Sequence, residues 1–325
     1  MQDAGYIDLS ICIVSWNCVD ILRQSLESIL KHSEGLKLQI IVVDNASSDN
    51  TPDIIRREFP YVELIDNNGN RGFGRANNQA IKISRGRFIL LLNPDVVITR
   101  SCFRQMMGYL ERHHDVGCVG CKLIKKDGSV QQTSYAYFPT PWTELREGML
   151  LNKIGGILTR HHGDETSPVE VAWLVGACMM FKREVLMKLN GFDEQYFMYG
   201  EDVDLCYRLH QSGYKVCYLR EIEMFHYHGA SSGKKSRRYF STLMQRDSVY
   251  RFMKTNYNNY NAFLYRFLCI ISSLFRLVLI TPAMLLSVLL KQPHRIRIFN
   301  VFEKYAKVVS WGMGLESWLR QQVPE

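Results

Sequence analysis

The sequence predicts an α/β fold with a Rossmann-like, mostly parallel sheet flanked by helices. Two short runs of Val, Ile and Leu, Leu38–Val43 and Phe88–Leu92, have the length and composition of buried parallel strands. The first run continues into Asp44 and the second into Asn93-Pro94-Asp95. Because ligands bind beyond the carboxyl ends of such strands, these polar clusters indicate an active site.

Strands and helices alternate along the first third of the chain. Apolar side chains from Ile21 to Leu30 share one helical face, which predicts a helix over Val19–His32. Asp49 and Pro52 are typical of a helix start. The predicted order is strand Leu9–Ser15, helix Val19–His32, strand Leu38–Val43, a helix beginning near Asp49, strand Tyr61–Ile65, helix Arg75–Ser84 and strand Phe88–Leu92. This alternation is typical of βαβ units.

The second part of the chain is less regular. Thr133–Pro168 contains several prolines and a glycine pair, and we predict a mobile flap or insert there. Strand character resumes over Val171–Lys182, and Tyr214–His226 is predicted to hold a short strand pair. Between them, Leu205–Gln211 is predicted to be helical.

The nine cysteines are scattered and follow no secretory signal, so we expect reduced, partly buried thiols in a cytosolic protein. Cys118 and Cys121 form a lone CxxC pair. A zinc site usually needs a second ligand pair, so buried thiols are favoured over a metal or redox site.

Positive charge is concentrated in the C-terminal third. Residues 220–325 contain 16 Lys and Arg against 6 Asp and Glu, whereas the net charge of the whole chain is +8. The apolar stretch Phe267–Leu290 is long enough to cross a bilayer, but Arg276 and Pro282 interrupt it. We expect helices that lie in or dip into an anionic membrane surface; a true span and soluble packing are the alternatives. The flanking basic residues are Lys234, Lys235, Arg237, Arg238, Arg246, Arg251, Lys291, Arg295 and Arg297.

Six segments together resemble the family 2 glycosyltransferases, and among them the rhamnosyltransferase-like branch. They occur in the family's order across roughly residues 8–232. The segments are Ile11–Asn17 (ICIVSWN), Val42–Thr51 (VVDNASSDNT), Asn70–Ala80 (NRGFGRANNQA), Leu91–Val96 (LLNPDV), Val175–Leu186 (VGACMMFKREVL) and Gly191–Leu209 (GFDEQYFMYGEDVDLCYRL). The resemblance implies a GT-A fold and an enzyme that transfers a sugar from a nucleotide-diphosphate donor.

The resemblance and the charge distribution together predict the domain organisation. We expect a GT-A domain over residues 1–232, with a nucleotide-sugar half over about 1–125 and an acceptor half over about 126–232. A basic, apolar, helical region that associates with membranes is expected over 233–325.

Seven positions are candidates for nucleotide binding. The family uses the Asp at position 44 to contact the base, where a carboxylate can accept a hydrogen bond from the imide N–H of uracil or thymine. Glycines near a helix start allow a diphosphate to approach the backbone, although Gly and Asn are equally common in turns. The candidates are Ser15, Asn17, Asp44, Asn70, Gly72, Arg75 and Asn93, and Arg71 is an alternative to Arg75 for the diphosphate.

Asn93-Pro94-Asp95 occupies the place of the Asp-any-Asp motif of metal-dependent transferases. By the resemblance, Asp95 ligates Mg²⁺ or Mn²⁺, which take oxygen ligands and offset the charge of a diphosphate leaving group. Asn93 replaces the first Asp, which weakens that contact or makes it indirect. The family places a metal-binding His at the later strand end, where His226 aligns best and His228 is the second choice. The alternative for Asn93-Pro94-Asp95 is a proline-containing turn that closes a strand and binds no metal.

By the resemblance, the catalytic residues lie in the acidic run that begins at Glu201. Asp202 is the expected base that removes the acceptor hydroxyl proton, while Glu201 orients it or contacts the acceptor. Asp204 is expected to cap the following helix. The alternative is an acidic helix start without catalytic function. The acceptor side is predicted to include Trp173, Gly176, Asp193 and Glu194.

Two other classes of protein fit the sequence less well. A nicotinamide-dependent oxidoreductase requires a glycine-rich turn after the first strand, where this chain has Ser15-Trp16-Asn17. A basic protein that binds nucleic acid or membranes without catalysis fits the charge, but the basic residues surround an apolar run, which favours lipid over nucleic acid. The resemblance favours dTDP-L-rhamnose as donor, with UDP-hexose or UDP-N-acetylhexosamine as alternatives. A saccharide linked to a lipid diphosphate, at the cytoplasmic face of the cell membrane, is the expected acceptor.

Overall fold

The computed structural model describes residues 6–33, 35–100, 102–149, 167–227, 239–289 and 295–316. They form two compact units. The first unit contains the described residues of Met1–Phe138 and His161–Ser236, and the second contains those of Pro139–Arg160 and Arg237–Glu325.

The strands of the first unit are mostly short and apolar. In chain order they are β1 (Leu9–Ser15), β2 (Leu38–Asp44), β3 (Glu63–Asp66), β4 (Phe88–Leu92), β5 (Val96–Val97), β6 (Val116–Ile124), β7 (Val130–Gln131), β8 (Ser134–Tyr135), β9 (Val169–Val171), β10 (Trp173–Leu174), β11 (Cys178–Lys182) and β12 (Lys215–His226). The helices of this unit are α1 (Val19–Lys31), α2 (Thr51–Glu58), α3 (Phe73–Ile83), α4 (Phe103–Arg112), α6 (Arg183–Lys188) and α7 (Glu201–Gln211).

Ten of the described strands form one sheet, in the order β3-β2-β1-β4-β11-β6-β12-β5, with β7 beside β6 and β9 beside β12. Strands β1 to β4 pair in parallel, and β6 pairs in parallel with β12. Strand β11 runs antiparallel between β4 and β6. The predicted α/β architecture with a mostly parallel sheet is therefore confirmed.

Side chains alternate between the two faces of this sheet, and each face is covered by helices. On β1, Leu9, Ile11 and Ile13 belong to a core cluster that includes apolar residues of α1 and α4. Cys12 points the other way, into a cluster with residues of α3, α6 and α7. Fully buried strands of this kind position the polar residues that follow them.

Several elements differ from the predictions. The strand expected over Val171–Lys182 is divided among the end of β9, β10 and β11, because the chain leaves the large sheet after Val171 for the pair β8–β10 and returns to it at Cys178. The strand pair expected over Tyr214–His226 is one long strand, β12, with irregular register between Leu219 and Glu223. Helix α4 and strand β6 were not anticipated. Within Thr133–Pro168 the structure contains β8 and a helix, whereas residues 150–166 lie outside the described residues.

The second unit is helical in its described part. It consists of α5 (Pro141–Gly148), α8 (Phe240–Phe252), a π-helical segment (Met253–Tyr257), α9 (Asn259–Leu289) and α10 (Arg295–Gly312). Helix α9 contains Pro282. Among the described helices, it is the one whose length and apolar composition would allow it to cross a membrane. The basic residues predicted over Lys234–Arg238 lie outside the described residues.

Candidate active site

Asp44 ends β2 at the carboxyl edge of the parallel sheet, in register with Ser15 of β1 and Asp66 of β3. Its side chain is buried. One carboxylate oxygen accepts a hydrogen bond from the Ser47 hydroxyl at 2.6 Å, and the other accepts the Ser47 backbone N–H at 2.8 Å. Burial raises the pKa of Asp44, and the two Ser47 hydrogen bonds partly oppose that rise. The structure therefore has an oriented carboxyl group at the edge where a nucleotide was predicted.

Ser15 and Asn17 hold the loops around this carboxyl group. Ser15 is buried, with its hydroxyl 3.3 Å from the Cys18 sulfur. Asn17 lies in the left-handed region at φ 52°, and its side-chain oxygen accepts the Ser48 N–H at 2.6 Å. The Asn17 N–H donates to the Ser47 hydroxyl at 2.9 Å. Asn17 thus joins the end of β1 to the loop that follows β2.

Asn45, which was not among the predicted site residues, holds the glycine-containing loop in place. Its amide nitrogen donates to the Asn70 side-chain oxygen at 2.9 Å and to the Gly72 carbonyl at 3.2 Å. Its side-chain oxygen accepts the Arg71 N–H at 3.0 Å. Asn45 therefore connects the Asp44 loop to the predicted diphosphate loop.

Gly72 precedes α3 and is required by its surroundings. Its φ is 82°, and an added Cβ would lie 2.4 Å from the Phe197 carbonyl oxygen. The same carbonyl accepts the Phe73 N–H at 3.0 Å. Only glycine fits this close approach, which joins the start of α3 to the segment before α7.

Arg75 contacts an acceptor-side candidate in this structure. Its Nε is 3.2 Å from the Glu194 carbonyl oxygen and 3.4 Å from a Glu194 carboxylate oxygen. Asn78 donates to the other Glu194 carboxylate oxygen at 3.1 Å. Asp193 accepts the Gln195 N–H at 2.9 Å and so forms a turn. Predicted nucleotide and acceptor residues therefore lie side by side here.

The two predicted metal ligands contact each other. Strand β5 places Val96 opposite His226, and His226 Nε2 lies 3.0 Å from an Asp95 carboxylate oxygen. Both side chains are buried. The other ring nitrogen, Nδ1, is 2.7 Å from the Gln131 side-chain oxygen. Gln131 was not predicted.

This arrangement fits a divalent cation. In the ring tautomer whose Nδ1–H donates to the Gln131 oxygen, the lone pair of Nε2 faces the Asp95 carboxylate. Two acceptors 3.0 Å apart are stabilised by a proton or a cation between them. Carboxylate and imidazole are both ligands for divalent ions such as Mn²⁺.

The protein alone provides an incomplete metal shell in its described part. No group of three or more His, Cys, Asp and Glu side chains suited to a metal occurs among the described residues. The remaining ligands would come from water and a bound substrate.

Asn93 forms the turn that precedes β5. The Asn93 N–H donates to the Ala177 carbonyl at 2.9 Å, and the Asn93 carbonyl accepts the Val96 N–H at 3.2 Å. His228 lies outside the described residues.

Two left-handed residues, Tyr199 at φ 67° and Gly200 at φ 80°, precede the acidic start of α7. Left-handed backbone in a non-glycine residue such as Tyr199 is uncommon and often occurs at functional sites. One Asp202 carboxylate oxygen accepts the Gly176 N–H at 3.0 Å, and the other accepts the Val203 N–H at 2.9 Å. Burial raises the pKa of Asp202, while these backbone N–H groups lower it. Asp202 is thus a held carboxylate with increased basicity.

Glu201 is buried, and its Oε2 has no hydrogen-bond partner among the described residues. Burial, and then the charge of Asp202, raise the pKa of Glu201 to about 8. The two carboxyl groups therefore titrate as a coupled pair, and Glu201 is mostly protonated at neutral pH.

The prediction that Asp204 caps the helix is wrong, because α7 begins at Glu201 after Gly200 and Asp204 lies within its first turn. Its carboxylate binds the Arg208 guanidinium at 2.7 Å, one turn further along the same helix. Arg208 also donates to the carbonyls of Leu189 and Gly191, at 2.7 and 2.8 Å. This ion pair ties α7 to the turn that carries Asp193.

Trp173 stacks on Tyr135 with ring centroids 3.8 Å apart and planes 2° from parallel. The two residues are directly opposite in the antiparallel pair β8–β10. Next to them, Phe138 packs edge-on against Tyr207 and His210 of α7. Tyr135 was not predicted, although Trp173 was. The segment that carries the stacked Tyr135 ring therefore packs, through Phe138, against α7, the helix that begins with Glu201 and Asp202.

A separate surface cavity of about 470 Å³ lies on β6, β7 and β12. Lys122, one of its lining residues, pairs with Glu223 at 3.0 Å. None of the predicted site residues lines it. The lining residues are Thr99, Arg100, Lys122, Ile124, Gly128, Val130, Glu223, Met224 and Phe225.

Comparison with known proteins decides the family. The model of the family described as glycosyl transferase family 2 matches residues 10–189. The chain belongs to glycosyl transferase family 2. A second family model, described as the N-terminal domain of galactosyltransferase, matches residues 165–229, which include the acidic pair and His226.

Several curated relatives of this family 2 glycosyltransferase are named as sugar transferases. The N-acetylglucosaminyl-diphospho-decaprenol L-rhamnosyltransferase of Mycobacterium tuberculosis is 28% identical over 216 residues, covering 61% of this chain and 69% of the relative. Rhamnosyltransferase WbbL of Escherichia coli K12 is 28% identical, covering 67% and 82%. A shorter match, 36% over 88 residues, is to the Escherichia coli glucosyltransferase WfaP, which covers 27% of this chain and 35% of the relative and is named for UDP-Glc and α-D-GlcNAc-diphosphoundecaprenol. The resemblance to the rhamnosyltransferase-like branch is confirmed.

Solved structures confirm the GT-A fold. Mannosyltransferase PcManGT from Pyrobaculum calidifontis, solved with GDP-Man and Mn²⁺, gives a TM-score of 0.56 at 16% identity and covers 96% of this chain and 88% of its own. GalNAc-T7, solved with UDP, GalNAc and Mn²⁺, also gives 0.56, at 14% identity. That match covers 76% of this chain but only 48% of GalNAc-T7.

Proposed function

We propose that this glycosyltransferase is inverting and metal-dependent, and that it transfers L-rhamnose from dTDP-L-rhamnose to a lipid-linked saccharide. The product would serve cell-surface polysaccharide synthesis. The observation that carries the chemistry is the acidic pair of buried Glu201 and half-buried Asp202, in which one Asp202 carboxylate oxygen accepts the Gly176 N–H at 3.0 Å. This provides one base beside a loop system suited to a nucleotide diphosphate.

The donor nucleotide is proposed to bind at the carboxyl edge of β1 and β2. Asp44 would accept the imide N–H of thymine or uracil, with Asn17 and Ser15 fixing the surrounding loops. The diphosphate would lie near Asn70 and Gly72, at the N-terminus of α3, where backbone N–H groups favour an anion. Arg75 would then exchange its contact with Glu194 for the diphosphate, or leave that role to Arg71.

Asp95 and His226 are proposed to hold Mg²⁺ or Mn²⁺. When bound, such an ion offsets negative charge on the departing diphosphate. Gln131 would keep His226 in the tautomer that presents Nε2 toward Asp95, at the observed distance of 3.0 Å. Asn93 would shape the turn that carries Asp95.

Transfer requires a base on the acceptor side. Asp202 would remove the acceptor hydroxyl proton while that oxygen forms its bond to the anomeric carbon and the bond to the diphosphate oxygen breaks. Attack from the face opposite the leaving group inverts the anomeric centre. Protonated Glu201 would keep the single negative charge on Asp202, and Trp173, Gly176, Asp193 and Glu194 would form the acceptor side.

The substrate assignment is supported by the relatives. Two of them are named rhamnosyltransferases, and two names contain a diphosphate-linked polyprenol. A UDP-hexose or UDP-N-acetylhexosamine donor is the second candidate, favoured by the match to WfaP. Such acceptors are embedded in the membrane, so we place this protein at the cytoplasmic membrane face, as a peripheral or monotopic protein.

The decisive experiment is a thermal-shift screen of dTDP, UDP and GDP sugars with Mn²⁺, followed by a transfer assay on polyprenyl-diphosphate GlcNAc. A bound nucleotide raises the melting temperature by mass action. We expect dTDP-L-rhamnose to give the largest shift and an inverted product by NMR. Transfer from UDP sugars alone would replace the donor assignment. Binding to liposomes or nucleic acid without any transfer would favour the non-catalytic alternative.

A further inference from the structure

Helix α9 exposes an apolar stripe along nearly its whole length. Most of the exposed residues are one, three or four positions apart, so at about 100° per residue they lie on one side of the helix. Val278, in the second half of α9, has 70% of its surface exposed. The stripe consists of Tyr260, Phe263, Phe267, Ile271, Leu274, Phe275, Val278, Leu279, Leu285 and Leu286.

The opposite side of α9 is buried and combines apolar and polar residues. Its buried residues are Ala262, Tyr265, Leu268, Cys269, Ser272, Ser273 and Ser287. A helix on the surface of a water-soluble protein turns its apolar side inward and a polar side to water. Helix α9 is apolar on its exposed side as well, which indicates that this side faces an apolar medium.

Charged groups along the buried side argue against a helix that crosses the bilayer. The Arg266 guanidinium donates to the Trp311 carbonyl at 2.9 Å and packs over the Trp311 ring. Arg276 lies over the Tyr305 ring and contacts its hydroxyl. In the middle of α9, Ser272 donates to Glu144, which also pairs with a further arginine of this unit, Arg246.

These contacts spread through the first two thirds of α9. If α9 stood upright, Glu144 and the arginines would lie at the depth of the acyl chains, where charged groups are costly. If α9 lies flat, the same groups stay on the protein side of the helix. The contacts therefore favour the flat orientation.

The charge of the surrounding sequence selects the membrane surface. Residues 248–302 contain no Asp or Glu and seven Lys or Arg. Among these, Lys254 and Arg297 are exposed. A basic region bordering an apolar helical face is attracted to anionic lipid headgroups.

We propose that α9 lies parallel to the membrane plane and inserts its exposed stripe into one leaflet of an anionic bilayer. The proposal deepens the proposed function, since it rests on the membrane location of the acceptor. It replaces the three alternatives for this segment by one orientation, with the stripe in lipid and the arginine-bearing side against protein.

Depth measurements test this orientation. All nine cysteines are buried, so a single exposed cysteine can carry a nitroxide label. Phe263→Cys, Val278→Cys and Leu285→Cys would be labelled separately on the full chain and mixed with vesicles containing phosphatidylglycerol. Residues 263 and 285 are about 33 Å apart along a helix, close to the thickness of the acyl region. The depth of each label in the bilayer is measured from its relative accessibility to oxygen and to a polar nickel reagent. If the helix lies flat, all three labels have the same shallow depth.

The outcomes separate the alternatives. An upright helix would place Val278 deepest, with the other two labels near opposite surfaces, and would overturn the proposal. Labels that stay in water, or a stripe hidden in a dimer, would overturn it as well. Ser241→Cys, at an exposed polar position of α8, is the control that should remain in water.

A charge substitution provides a matched pair. Val278→Asp should weaken vesicle binding by roughly tenfold or more, because a carboxylate opposes both insertion and anionic lipid. Val130→Asp makes the same change at a 56% exposed valine of the first unit and should bind vesicles as the unaltered chain does. Equal loss in both variants would overturn the proposal. Transfer to a short-chain, water-soluble acceptor, measured on Val278→Asp, tests the proposed function independently.

Discussion

One carboxylate oxygen of Asp202 accepts the backbone N–H of Gly176 at 3.0 Å. Gly176 lies in the turn between β10 and β11, and Asp202 is the second residue of α7. The hydrogen bond therefore fixes the proposed base against the centre of the sheet, beside the turn that carries Asn93. A backbone donor fixes the carboxylate without adding a second charged side chain to the site.

Asp202→Asn is expected to reduce turnover by at least ~10²-fold, because the amide keeps the shape but cannot take a proton. The affinity for the donor nucleotide, measured by calorimetry, should change little, since the proposed base contacts the acceptor. Normal turnover in this variant would mean that the base lies elsewhere, with Glu201 as the first candidate.

Glu201→Gln should behave differently from Asp202→Asn, because glutamine resembles the protonated form of Glu201. We expect most of the turnover to remain at pH 7. If Glu201→Gln lost as much turnover as Asp202→Asn, Glu201 would be required as an ionised carboxylate, and a protonated Glu201 in the active enzyme would be contradicted.

The same residue predicts a pH dependence of stability. Its pKa is about 8 in the folded protein, against 4.5 for an ordinary glutamate. The folded protein therefore binds this proton more tightly than the unfolded chain does. The free energy of unfolding falls as the pH rises from about 4.5 to about 8, because the proton is lost over that range. Glu201→Gln lacks this loss, so its melting temperature relative to the unaltered chain should increase through that range. A constant difference between pH 5 and 9 would contradict a protonated Glu201.

Metal binding can be measured apart from activity. Asp95→Ala and His226→Ala should each abolish tight Mn²⁺ binding in the presence of dTDP or UDP, observed by electron paramagnetic resonance. Gln131→Leu should weaken it by roughly tenfold, the lower range for a residue that orients a metal ligand. Full transfer in excess chelator would contradict the metal-dependent mechanism.

The fold was predictable where local sequence determines structure, as in the apolar runs of β1, β2 and β4. The polar residues after these strands were found for the same reason. Contacts between distant segments were not predictable. Gln131 and His226 are separated by 95 residues, and their pairing depends on the register between β7, β6 and β12. Asn45 lies inside one of the segments that resemble the family, but its hydrogen bonds to the loop at Asn70 could not be predicted, because the sequence does not give the distance between the two loops.

The last prediction concerns Trp173 and Tyr135, whose stacked rings are fastened beside α7. A saccharide presents C–H groups that pack against aromatic faces, so we expect Trp173→Ala and Tyr135→Ala to raise the KM for the acceptor. Trp173→Phe should restore part of the effect, and the affinity for the donor nucleotide should stay unchanged. Tyr137→Ala is the matched control, because the Trp173 indole donates to the Tyr137 backbone oxygen, at 3.1 Å, and the Tyr137 side chain is 66% exposed. Initial rates over a range of acceptor concentrations separate the outcomes. An equal rise of KM in the Tyr137 variant, or weaker nucleotide binding in the Trp173 variant, would remove the aromatic pair from the acceptor side.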